Sequence, residues 1–382
     1  MNENKIPLLR IMLLSVLIFS VTVLGICDFF IPKSVIAADG KAESIGGIIN
    51  IEAMNGKSVA KLFGIPLKEV KVYTPEISEV YLGGDAIGVK FYMGGVIVVG
   101  LSSGKKELSA AEKAGLAVGD IITEAGGKKV ETVEKMKEII AESKGNPLEI
   151  SYRRAGEKKV TSLTAKKDGS GAYKAGMWIR DSTAGIGTVS YVMPDGIFAS
   201  LGHGITDIDT GVLMPLSRGS SVGIEINDAI KGKNNAPGEL QGTFSAIKNG
   251  VLICNKPTGL YGSFEKKNYE NRELIKLGTK SDVHVGKAEI VSTVSEKGPQ
   301  KFDIEIAKIV RNSDKSKNFV IKVTDERLIE ATGGIVQGMS GSPIIQDGKL
   351  VGAVTHVTVS DPEKGFGIFI ENMLENTPKC EM

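Results

Sequence analysis

A chain of 382 residues with 42% hydrophobic and 24% charged side chains is a globular protein of two or three domains, not a disordered one. Its formal charge of +2, with lysines spread along the chain, gives no electrostatic case for nucleic acid or an acidic partner. Aromatics at 5% argue against stacking platforms for single strands, while 47 glycines fit short strands joined by many turns.

The first element is a targeting segment. Lys5 and Arg10 precede an uncharged run from Ile11 to Cys27, which sits at the lower edge of a membrane span and which Phe29-Phe30-Ile31 extends. Positive residues ahead of it predict an inside N-terminus and an exported remainder. Cleavage at Ala37-Ala38 is the competing reading, but that site lies far beyond the apolar run, so residues 1–38 are read as an anchor. Residues 39–82 read as a β-rich linker region. Cys27, Cys254 and Cys380 have no metal-type spacing, and stability must come from a hydrophobic core.

From Gly83 the pattern sharpens. Ala86–Phe91 and Gly95–Val99 predict two strands separated by a Gly94-Gly95 turn. Ser109–Gly115 predicts a short helix, Leu116–Ile122 a turn into a strand, and Val133, Met136, Ile139 and Ile140 one face of a second helix. Leu148–Tyr152 and Val160–Leu163 close the unit. Carried by Ile87-Gly88-Val89, Lys113-Ala114-Gly115-Leu116 and Val118-Gly119-Asp120-Ile121-Ile122, residues 83–167 resemble a PDZ domain. The resemblance implies an extended peptide added as a strand, its C-terminal carboxylate held by the amides of Ile87, Gly88 and Val89. The bland alternative makes Ile87 and Val89 ordinary core residues.

Lys166–Gly171 reads as a linker, and residues 168–382 alternate in short segments that predict a barrel or a pair of barrels. Within them Gly338-Met339-Ser340-Gly341-Ser342-Pro343 reads as a nucleophile loop. Flanking glycines allow a tight turn that aims the amides of Gly338 and Ser340 at one point, where an oxyanion forms. A Gly/Ser hairpin turn is the bland alternative. A serine needs a base. Of three histidines, His203 stands out between Gly202 and Gly204, where a strand meets a turn; His284 and His356 lie in strand contexts that usually make a histidine structural. Asp207 and Asp209 are local acid candidates whose ordinary reading is a solvated loop.

The loop, with histidine ahead of serine, resembles the chymotrypsin-like serine proteases; Lys349–Thr355 resembles their cleft strand and Gly365–Ile370 its antiparallel partner. More narrowly, Trp178–Thr188, Leu201–Ile205 and Gly333–Pro343, with the anchor and the PDZ-like unit, resemble the stage IV sporulation protein B family of peptidases. The resulting expectation is a mainly β chain: a chymotrypsin-like double β-barrel preceded by an α+β PDZ domain and an N-terminal membrane anchor. The resemblance implies a triad of His203, Asp325 and Ser340 and an oxyanion hole of Gly338 and Ser340, with no metal or organic cofactor. Asp325 lies only fifteen residues before Ser340, where the chymotrypsin pattern places its aspartate in the first half; Asp207 and Asp209 stay open as rivals.

The same resemblance implies a signalling peptidase exported from the forespore and anchored facing the intermembrane space. Its implied substrates are its own chain, or another copy, and regulatory protein FA of the stage IV F complex, cleavage of which triggers pro-sigma-K processing. An envelope quality-control protease is a rival, though such enzymes usually place the PDZ after the protease. A non-enzymatic PDZ scaffold is another, opposed by the complete set of Ser340, His203 and acid candidates.

Overall fold

Antiparallel strands joined by short turns carry most of the chain. The computed structural model describes residues 78–102, 107–310 and 316–378, with shorter pieces ahead of them, chiefly 49–54 and 57–73. Nearly all of the expected anchor segment, the Ala37-Ala38 site and Cys380 lie outside the described residues. Among the described residues, no helix is long and apolar enough to cross a membrane. Ile49–Met54, Lys57–Leu62 and Ile65–Glu69 form a small antiparallel sheet.

The principal elements from residue 79 onward are β1 (Glu79–Leu82), β2 (Ala86–Leu101), α1 (Ala110–Lys113), β3 (Ile121–Ala125), α2 (Val133–Glu142), β4 (Leu148–Arg154) and β5 (Glu157–Leu163). They continue as β6 (Met177–Val192), β7 (Ile197–Ser200), β8 (Leu216–Ile230), β9 (Glu239–Lys256), β10 (Gly259–Phe264) and β11 (Leu274–Leu277). The last group is β12 (Gly286–Thr293), β13 (Pro299–Ile309), β14 (Phe319–Val323), α3 (Glu326–Thr332), β15 (Pro343–Gln346), β16 (Lys349–Thr358), β17 (Asp361–Phe369) and α4 (Ile370–Leu374).

The antiparallel pairings close two rings. In the first, β6 pairs β2, β2 pairs β8, β8 pairs β9, β9 pairs β10, β10 pairs β7, and β7 returns to β6. In the second, β12 pairs β13, β13 pairs β14, β14 pairs β17, β17 pairs β16, β16 pairs β15, and β15 returns to β12. Each ring encloses its own apolar core. Ile87, Val89, Phe91, Phe198 and Leu260 belong to the first, and Ile290, Phe302, Ile304, Phe319 and Phe369 to the second. A third cluster, with Val80, Tyr191, Tyr261, Val291 and Leu350, draws on strands of both rings and cements them.

The α+β unit has a separate core of Val96, Val98, Leu116, Ile122, Met136, Ile139, Ile140 and Ile150. Helix α2 buries the predicted face, begins at Thr132, whose hydroxyl accepts from the Lys135 amide, and is followed by left-handed Gly145. Four sequence expectations are corrected here. Ala86–Leu101 is one continuous strand, not a hairpin at Gly94-Gly95, because the Ile122 carbonyl lies 2.5 Å from where a Cβ on Gly95 would sit. The glycine serves close passage of β3 rather than a turn.

Ile87-Gly88-Val89 is therefore no capture loop. It lies mid-strand, flanked by β6 (Gly187, Ile186, Gly185) and by β8 (Gly223, Val222, Ser221), so its amides are consumed by the ladder and its apolar side chains by the first core. The boundary at Gly83 also moves: residues 86–93 wall the first ring, and only the second half of β2 joins the α+β unit. Residues beyond Leu163 return to that unit, where Ala165 and Ala175 are buried, instead of running free as a linker.

Candidate functional site

The site forms where the two rings meet. Thr188 and Ser190 project from β6 onto the nucleophile loop: the Thr188 hydroxyl donates to the Gly338 carbonyl and the Ser190 hydroxyl to the Gly341 carbonyl, both at 2.8 Å. The Thr188 amide donates to the Ser340 carbonyl at 2.9 Å, and the Gly341 amide to the Val354 carbonyl at 2.7 Å. Gly341 is required here. Its φ is +98°, and a Cβ would stand 2.0 Å from the Thr188 carbonyl oxygen and 2.4 Å from the Leu201 amide nitrogen.

With the loop so pinned, the amides of Gly338 and Ser340 donate to no protein atom among the described residues. Two uncommitted N–H groups flanking a partly buried serine are what an oxyanion requires. The Ser340 hydroxyl is parked: it donates to the Thr355 carbonyl at 2.8 Å.

His203 enters from the first ring. Leu201 and Gly202 both take left-handed conformations, at φ +68° and +66°, and turn the chain out of β7 toward β16. A Cβ on Gly202 would lie 2.9 Å from Thr355, the residue whose carbonyl holds the Ser340 hydroxyl. The His203 ring stands 4.8 Å, centroid to centroid, from that of His356. Its Nδ1 is 2.9 Å from the Gly204 carbonyl oxygen, which can only accept, so Nδ1 carries the proton and Nε2 the lone pair. This is the tautomer a base for Ser340 needs. Burial pushes the His203 pKa below its usual value, against the Gly204 bond, so the ring is neutral near pH 7.

The three carboxylate candidates are all engaged elsewhere. Asp325 caps α3, accepting from the Arg327 amide and guanidinium and from the Asp303 amide. The Arg327 side chain, opposed by burial, holds its pKa at about 2. Asp207, buried, and Asp209 both bind Arg180, the latter at 2.7 Å. No hydrogen bond joins any of the three to His203. The structure thus sets Ser340 and His203 about the same stretch of β16, the serine hydroxyl on the Thr355 carbonyl and the imidazole against His356, with no hydrogen bond between the two among the described residues, and leaves Asp325 engaged elsewhere. His284 is exposed and bonded to Asp347 at 2.8 Å.

His356 is what sequence reasoning missed. Its Nδ1 is buried with no hydrogen-bond partner, and burial first, then His203 and Lys317, lowers its pKa to about 4. Thr188 and Ser190 were missed as well, although polar residues at period two in an apolar strand announce buried hydroxyls that need partners.

Comparison with known proteins gives the family. The family model described as SpoIVB peptidase S55 matches residues 171–374, and a PDZ domain model matches residues 106–154. Among solved structures, the PDZ domain of an SdrC-like protein from Listeria monocytogenes matches at 23% identity, covering 22% of this chain and 87% of its own, with a TM-score of 0.20. No curated protein matches. With a peptidase match over more than half its length, spanning His203, Asp325 and Ser340, the chain belongs to the SpoIVB peptidase S55 family and is a PDZ-containing serine peptidase.

Proposed function

We propose that Ser340 is the nucleophile and His203 its base, in an endopeptidase whose two strand rings correspond to the paired barrels of chymotrypsin-like proteases. The observation that carries this is the loop geometry: a serine with two uncommitted amides at Gly338 and Ser340, its hydroxyl on Thr355, next to His356, against which an imidazole in the basic tautomer packs. The Ser340 hydroxyl leaves the Thr355 carbonyl, gives its proton to Nε2 of His203 and attacks the substrate carbonyl. The Gly338 and Ser340 amides hold the resulting oxyanion, and His203 returns the proton to the leaving amine. Asp325 is the acid that family resemblance implies; to serve, it must exchange Arg327 for the imidazolium.

In the organism the role that fits is a sporulation signalling protease, exported and held by the N-terminal segment in the forespore membrane. It would cut its own chain and regulatory protein FA of the stage IV F complex, and so release pro-sigma-K processing. Replacing Ser340 by Ala tests the chemistry. Loss of self-cleavage and of substrate cleavage with folding retained is expected; unchanged cleavage would sink the assignment.

A further inference from the structure

Strand β6 has one edge that is not closed along its whole length. Between Ser182 and Thr188 it pairs β2 in unbroken antiparallel register, Ser182 opposite Tyr92 through Thr188 opposite Ala86. In such a ladder, successive residues turn their N–H and C=O alternately toward the partner and away from it. Thr188 fixes the phase, because its amide donates to Ser340 and its carbonyl accepts from Leu201, both away from β2. Ile186, Ala184 and Ser182 therefore also turn their amides and carbonyls outward. Among the described residues, no strand pairs that stretch of edge, for β7 and β1 join β6 only from Val189 onward. Ala184 and Gly185 are exposed.

The edge has two defined ends. At one, the last outward amide is already bonded to the nucleophile residue. At the other, Asp181 accepts from the amide of Val133, the first residue of α2, within the PDZ unit. The distance between them is roughly 20 Å, at the usual rise per residue.

We infer that the outward edge of β6, Ser182 to Ile186, is a polypeptide-binding edge that seats the substrate backbone as an added strand and leads it from the PDZ unit to Ser340. The occupant is an extended segment of the substrate, since unpaired donors and acceptors at strand spacing, continuous with the nucleophile loop, match a backbone and nothing smaller. The inference rests on the assignment of Ser340 as nucleophile. It replaces the capture loop that Ile87-Gly88-Val89 does not form.

The test uses the full chain and a fluorogenic peptide selected from a library for cleavage. Amides of that peptide are replaced one at a time by esters, each removing one N–H donor. In the unaltered enzyme kcat/KM should fall about fivefold to tenfold at alternate positions on one side of the scissile bond. Ala184→Pro, which deletes one outward amide at an edge position where proline is tolerated, should lower kcat/KM similarly and flatten the alternation beside it. Labelling of Ser340 by a small fluorophosphonate should stay unchanged in the variant. No alternation in the unaltered enzyme, or the same alternation in a labelled Ala184→Pro, overturns the edge. Failure of the unaltered enzyme to label, or cleavage by Ser340→Ala, would instead overturn the nucleophile.

Discussion

The imidazole of His356 lies 4.8 Å from that of His203, on the residue directly after the one whose carbonyl holds the Ser340 hydroxyl. A half-buried, neutral ring in that place keeps water from one face of the base and so helps hold its pKa low. His356→Ala should lower kcat by about tenfold with KM little changed, since the proposed substrate edge is untouched. The acid limb of the kcat/KM profile should move to higher pH, as His203 returns toward its solvent value. His356→Phe should restore the low limb. An alanine variant with the parental pH profile would refute the role.

Asp325 and Arg327 make a second prediction. Asp325→Asn should lower kcat if the aspartate reaches the imidazolium during turnover, while Arg327→Ala frees the carboxylate and should leave kcat equal or higher. Neither change removes the cap of α3, because asparagine keeps an acceptor oxygen and the capping donor at residue 327 is a backbone amide, so stability should fall only by what the Asp325–Arg327 pair contributes. Thermal unfolding beside kinetics separates the two effects. Because the Asp325 pKa is lowered in the fold, its contribution is present above the ordinary carboxylate range and is lost as pH falls toward about 2.

The nucleophile loop hangs on two hydroxyls. Thr188→Val removes the donor to the Gly338 carbonyl and leaves a buried acceptor unmade, at about 1–3 kcal/mol. The same change should reduce kcat, because Gly338 supplies one oxyanion amide. Denaturant titration with active-site labelling checks both, and a stable variant with full kcat would show that the bond does not position the loop.

Glu371 is almost wholly buried, bonded to the amide of Lys280 and 3.6 Å from its ammonium. Burial raises its pKa to about 7, against the pull of Lys280. The folded state therefore binds more proton than the unfolded between about pH 4.5 and 7, and stability falls as pH rises through that window. Glu371→Gln should abolish that part of the slope, worth about 3 kcal/mol across it. Unfolding midpoints at pH 5 and 7 for both proteins decide the matter.

Local signals were the legible ones. The apolar period of Met136, Ile139 and Ile140 specifies its own conformation, and that face of the helix is buried as read. Gly94-Gly95 misled because a glycine pair signals a turn and a close backbone crossing alike; only β3, brought from 27 residues away, distinguishes them. His356 was hidden for the same reason. Its stacking partner lies 153 residues earlier, and no spacing rule within one strand reveals a contact between rings.

Strand β2 has a practical consequence for genetics. Excising residues 83–167 as though they were a detachable module would remove Phe91 and Val89 from the first core and cut the strand lying between β6 and β8. Such a deletion would open the enzyme itself, and a lost phenotype would be wrongly credited to peptide recognition. A cut joining Gly94 to Met177 leaves that wall standing, so only deletions of this kind can assign a duty to the appended domain.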